Sequence, residues 1–98
     1  MALKTRLSPR AVRDLTDIRN YLIKESPQGA ESVRRAIERC VTAIGEFPGY
    51  GLETSNERVR VMPVSSYPYL VYFTVEKETI VVVHVRHSSR MPPRPREL

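Results

Sequence analysis

The chain has 98 residues, a single cysteine and no tryptophan. One cysteine cannot close an internal disulfide and leaves too few soft ligands for a structural zinc site, so Cys40 is read as a small buried hydrophobe. Long apolar stretches are also missing: a run such as Ile80 to Val83 falls far short of the roughly 20 residues that span a bilayer. No basic-then-apolar leader opens the chain, so a soluble cytoplasmic protein with no membrane contact is expected. Glycine is sparse, at 4 residues, and nowhere forms a phosphate-cradling loop. Paired cysteines, a glycine-flanked nucleophilic serine and a helix-borne histidine pair are absent as well. His84 and His87 lie three apart in a strand-like run, which points them to opposite faces. No metal and no cofactor is expected.

The composition that remains is globular, with 41% hydrophobic and 28% charged residues. A chain of this length forms one domain and buries roughly 60 to 70% of its unfolded surface. The net charge of +5 and the pI near 9.8 come mostly from arginine, whose planar fork suits bidentate contact with carboxylate or phosphate. The expected partner is acidic: nucleic acid or an acidic protein segment.

Leu3, Thr5 and Leu7 alternate with Lys4 and Arg6, the period of a short half-buried strand. Ser8-Pro9 supplies a capping hydroxyl and a first-turn proline, so a helix is predicted to start there and to run to about Lys24. Its apolar stripe is Val12, Leu15, Ile18 and Leu22, with Arg13, Asp14, Asp17, Arg19 and Asn20 left outside. Ser26-Pro27 repeats the start signal, and Ala30, Val33, Ile37, Cys40 or Val41, and Ile44 form a second stripe. A link of about three residues makes the two helices an antiparallel hairpin. The stretch Gly45 to Asn56 is rich in turn formers and cannot stay helical past Pro48. Arg58–Val64, Tyr69–Val75 and Thr79–His87 read as strands joined by short turns. The predicted fold is α+β, in the order β-α-α-β-β-β: a short N-terminal strand and a helix hairpin packed on an antiparallel sheet of three to four strands. Residues 1–90 form the domain, and 91–98, PPRPREL with its preceding Met91, form an extended basic tail.

Strand parity sorts the candidate functional residues. Val81, Val83, Val85 and His87 share one face and are expected to meet the helices. His84 and Arg86 are expected on the open face, where Arg58, Arg60, Tyr69 and Tyr72 bring further cations and rings. Basic groups beside aromatics are what phosphate contact and base stacking require. RNA cleavage would also need a base near the 2'-hydroxyl and an acid near the leaving oxygen, and no spacing in the chain shows two such groups converging.

LSPRAVRDLTDIRNYLIKESPQGA in the helices, EFPGYG after them, VRVMPVSSYPYLVYF in the sheet and VHVRHSSR at its end together resemble the RelE/ParE superfamily of type II toxins, and within it the ParE branch. The resemblance covers roughly Leu7 to Arg90. It implies a cytoplasmic growth-inhibiting toxin of a plasmid or chromosomal stability system, held in a hetero-oligomer by an acidic, ParD-like antitoxin and trapping DNA gyrase. RelE-like relatives instead cut messenger RNA on the ribosome, and an inactive member would keep only antitoxin binding. For a nuclease, Arg60 matches the sheet arginine and His87 the late histidine. Ser88 in place of a tyrosine, and the PRPREL extension, favour inhibition by binding over catalysis. The residues expected to contact target or antitoxin are Arg58, Arg60, Tyr72, His84, Arg86, His87 and Arg90.

Overall fold

Ser8 and Ser26 decide where the helices begin. In the computed structural model, which describes residues 2–89, the Ser8 hydroxyl accepts the Ala11 N–H at 3.1 Å and the Ser26 hydroxyl accepts the Gly29 N–H at 3.0 Å. Each is followed by proline, whose missing N–H costs nothing at the first helical position. The helices are α1, Pro9–Glu25, and α2, Pro27–Glu46. Only Ser26 separates them: its own N–H donates to the Leu22 carbonyl at 2.8 Å, closing α1, while its side chain opens α2. The hairpin link is therefore shorter than the three residues expected.

Among the described residues five strands accompany them: β1, Lys4–Leu7; β2, Leu52–Glu53; β3, Arg60–Pro63; β4, Tyr69–Glu76; and β5, Thr79–His87. A 3-10 turn, Pro48–Tyr50, carries the chain from α2 into β2. The sheet order is β1-β5-β4-β3-β2. All neighbours are antiparallel except β1 and β5, which run parallel, so the sheet is mixed and has one strand more than the upper expectation. A parallel pair needs a long connection between its strands, and the helices, β2–β4 and their turns supply it.

The core lies between α2 and the centre of the sheet. Val33, Ala36, Ile37, Cys40 and Ile44 from α2 pack with Val71, Phe73, Ile80, Val82 and Val85, and Phe73, Ile44, Ile80, Val71 and Val82 are wholly buried. Each such side chain contributes roughly 1.5 to 3 kcal/mol by leaving water. Gly51 closes the far end, because a β-carbon there would lie 2.6 Å from the Phe73 ring. Cys40 is buried as expected, and burial raises its thiol to a pKa of about 11, which keeps it unreactive.

The valine faces differ from expectation. Tyr72 pairs with His84 but Phe73 pairs with Val82, leaving Val83 without a partner on β4. This bulge reverses the parity of β5 at its middle. Ile80 and Val82 therefore face the helices together with Val85, and Val81, expected inward, is buried away from that core. β1 is likewise exposed along its whole length where a half-buried strand was expected, because it borders an open groove beneath the helices and not the packed core.

Candidate functional site: an apolar groove and two histidine environments

The apolar stripe of α1 is only partly covered. Ala11 is fully buried, yet Val12 is 48% exposed and Ile23 41%, and Leu15, Ile18 and Leu22 are half-buried. The last five, together with Leu7 of β1 and Val33 and Ile37 of α2, line an open groove of about 700 Å³. A contiguous exposed apolar surface of this kind makes the groove a candidate interaction site. Its rim carries charge: Arg6 and Arg19 on one side, and Glu31, Arg34 and Glu38 on the other. Arg34 is held by Glu31 at 2.7 Å and by Glu38 at 2.6 Å, and this pairing lowers the Glu31 carboxyl to a pKa of about 2. Sequence reasoning gave these residues only as the apolar stripe of an amphipathic helix; Ala11 enters the core, Leu15, Ile18 and Leu22 pack against its edge, and the outer part of the stripe stays open.

His87 sits where β5 ends, paired with Tyr69, whose ring meets it edge-on with centroids 5.3 Å apart. Its Nδ1 accepts the Ser89 N–H at 3.1 Å and lies 2.7 Å from the Ser89 hydroxyl, so the neutral ring carries its proton on Nε2. Burial raises the Tyr69 phenol, and the nearby Tyr21 phenol adds to the effect.

Arg60 is on the same, helix-bearing face as His87 but not beside it. It pairs with Phe73, four residues from Tyr69 along β4, a separation of roughly 13 Å of strand. Its guanidinium donates to the Gly51 carbonyl at 2.8 Å. Arg58 precedes β3, in an exposed turn where its N–H donates to Asn56 Oδ1 at 3.0 Å. The expected cluster of Arg58 and Arg60 with His84 and Arg86 does not form, because Arg60 and His84 occupy opposite faces of the sheet.

His84 is the largest correction. It was expected on an open face, yet it is 5% exposed and stacks on the buried Tyr72, centroids 5.6 Å apart. Its Nδ1 lies 2.6 Å from Asp14 Oδ2, and the same carboxylate oxygen accepts the Val85 N–H at 3.0 Å. Burial pushes the ring pKa below the usual value, against the opposing pull of Asp14. Tyr72 is also raised by burial, with Arg86 acting the other way. Asp14, assigned from sequence to the solvent side of α1, was missed; its partners are 70 and 71 residues away, beyond any local pattern. Arg86 is half-buried, and Arg90 lies outside the described residues, as does the basic tail. Among the described residues no group of histidines, cysteines and carboxylates could hold a metal, and no helix is long and apolar enough to cross a membrane.

A hairpin packed on a mixed sheet, with an uncovered groove beside it, defines a small interaction domain. Residues 5–92 match the family described as ParE toxin of type II toxin-antitoxin system, parDE, and the chain belongs to that family. It is 30% identical over 83 residues to toxin RelE2 of Caulobacter vibrioides, covering 84% of this chain and 91% of that protein. It is 28% identical to toxin RelE3 of the same organism, covering 84% and 90%. A structure titled chromosomal ParDE TA system from P. aeruginosa shares the fold, with a TM-score of 0.75, 18% identity and coverage of 88% of this chain and 96% of that one.

Proposed function

We propose that this toxin acts by binding rather than by catalysis, that its target is DNA gyrase, and that an acidic antitoxin neutralises it by docking in the groove of β1, α1 and α2. The groove carries the antitoxin half of the reading. Its apolar floor suits the nonpolar face of a partner segment, which supplies affinity. Arg6 and Arg19 at the rim, on a chain of net charge +5, suit acidic side chains that set register and speed association.

The binding mode is supported by the distance between the two nuclease candidates. A general acid and a phosphate-stabilising cation must converge on one phosphodiester within hydrogen-bond reach. Arg60 and His87 are instead anchored at separate places, one on the Gly51 carbonyl and the other on Ser89. The exposed cations Arg58 and Arg60 and the ring of His87, with Arg90 following it, are the proposed contacts to the target. Tyr72 and His84 are buried and serve the fold.

A supercoiling assay with purified gyrase and relaxed plasmid tests the target. Inhibition by the folded toxin is expected, and full supercoiling activity in its presence would overturn the reading. Cleavage of messenger RNA in a translating extract, abolished by His87→Ala or Arg60→Ala, would establish the endonuclease activity of RelE-like toxins instead. Expression without growth arrest would mark a chain that retains antitoxin binding alone.

A further inference from the structure

β1 covers β5 only as far as the pair Leu7 and Val82. Beyond it, the outer edge of β5 would present open backbone groups, a template for unwanted strand pairing. The first turns of α1 close this edge. The Ser8 N–H donates to the Val82 carbonyl at 2.9 Å, the Ser8 hydroxyl donates to the Val83 carbonyl at 3.2 Å, and Asp14 accepts the Val85 N–H. The Asp14 carboxylate also fixes the His84 tautomer: a carboxylate oxygen accepts, so the ring proton is on Nδ1. Nε2 is then a bare lone pair, and it is buried with no hydrogen-bond partner among the described residues.

We propose that the Asp14–His84 pair is a proton-sensitive clasp on the open edge of β5, closed while the ring carries one proton and released when it takes a second. The second proton comes from solvent and adds to Nε2; no covalent bond breaks. It creates an N–H donor in a place where no described residue accepts it, and burying such a donor is costly. The charged and titratable groups facing the ring are Asp14 and Arg10 from α1, Arg86 from β5 and Tyr72 from β4. Both arginines oppose the added charge and Asp14 favours it, but burial outweighs Asp14. The protonated ring is relieved by leaving its pocket, and the Asp14 contacts to β5 open with it. Val12 and Leu15 flank Asp14 on α1 and line the groove, so release shifts the wall that an antitoxin would touch. That consequence rests on the antitoxin reading of the groove; the clasp itself does not.

Nuclear magnetic resonance of the free toxin tests the clasp without any antitoxin, so its failure is distinguishable from failure of the groove reading. Histidine nitrogen shifts should show the Nδ1–H tautomer for His84 at neutral pH and protonation below the ordinary 6.5. Over the same titration the exchange protection of the Val85 amide should fall about tenfold per pH unit, the linkage of one proton, while that of Phe73 in the core stays level. His84→Phe, which keeps a buried ring, should abolish the pH dependence at Val85. An Nε2–H tautomer, a Val85 amide indifferent to the His84 titration, pH dependence surviving in His84→Phe, or parallel loss of protection at Val85 and Phe73 would each overturn the proposal.

Discussion

The two helices carry apolar stripes of the same period and meet different fates. In α2, Val33, Ile37 and Ile44 are 5%, 6% and 0% exposed; in α1, Val12 and Ile23 remain 48% and 41% exposed. Hydrophobic periodicity therefore says which face of a helix seeks cover but not what covers it. Here the stripe of α2 lies within the toxin's own core, whereas α1 joins that core through Ala11 and the inner flank of Leu15, Ile18 and Leu22 and leaves the outer part of its stripe open. Both helices hold the fold, and α1 alone of the two also shows a broad apolar surface.

Substitutions can break this contrast in a graded way. Phe73→Ala, in the core under α2, should cost about 3 to 5 kcal/mol in a denaturant titration, enough to threaten a domain whose total stability is about 5 to 10 kcal/mol. Val12→Asp, in the groove, should leave stability within about 0.5 kcal/mol yet weaken calorimetrically measured binding to the antitoxin by about 2 kcal/mol or more. A large loss of stability at Val12 would erase the distinction between the helices. Asp14→Ala strips partners from the His84 ring and the Val85 amide and should cost about 2 kcal/mol.

The same site sets a pH dependence whose sign follows from His84. Its folded pKa is below the ordinary 6.5, so the unfolded chain takes up the proton more readily. The stability from the neutral ring is full above pH 6.5 and is lost as pH falls below it, toward the folded value. Thermal unfolding of the wild type and of His84→Phe across pH 7.5 to 5 separates this contribution from the carboxylates. Smaller effects come from the chain's local geometry. Ser26→Ala, which removes the α2 cap, should cost about 1 kcal/mol. Lys77 bridges β4 and β5 with φ 56, a left-handed conformation, so Lys77→Gly should stabilise by about 0.5 kcal/mol.

Which parts could be read from the chain follows from the range of the forces involved. Ser8-Pro9 and Ser26-Pro27 act within one helical turn, and both helix starts were read to the residue. β5 was read with both its ends because turn-forming residues bound it. The Val83 bulge was hidden, since it lies in an unbroken run of β-branched residues with no glycine or polar residue to mark it. The faces of Val81 and Val82 were misassigned as a result. His84 looked exposed because the carboxylate that pairs with it lies on α1, some 70 residues back. The groove was half visible: its residues were recognised as apolar, but their exposure depends on the hairpin's placement over the sheet.

Methyl resonances of the labelled toxin, followed while a candidate acidic antitoxin is added, test the contrast between the helices most directly. The largest shifts are predicted at Leu7, Val12, Leu15 and Ile23, with Val71 and Val82 in the core little changed. Shifts confined to Val61, Leu70 and Val81, on the face of the sheet away from the helices, would contradict it.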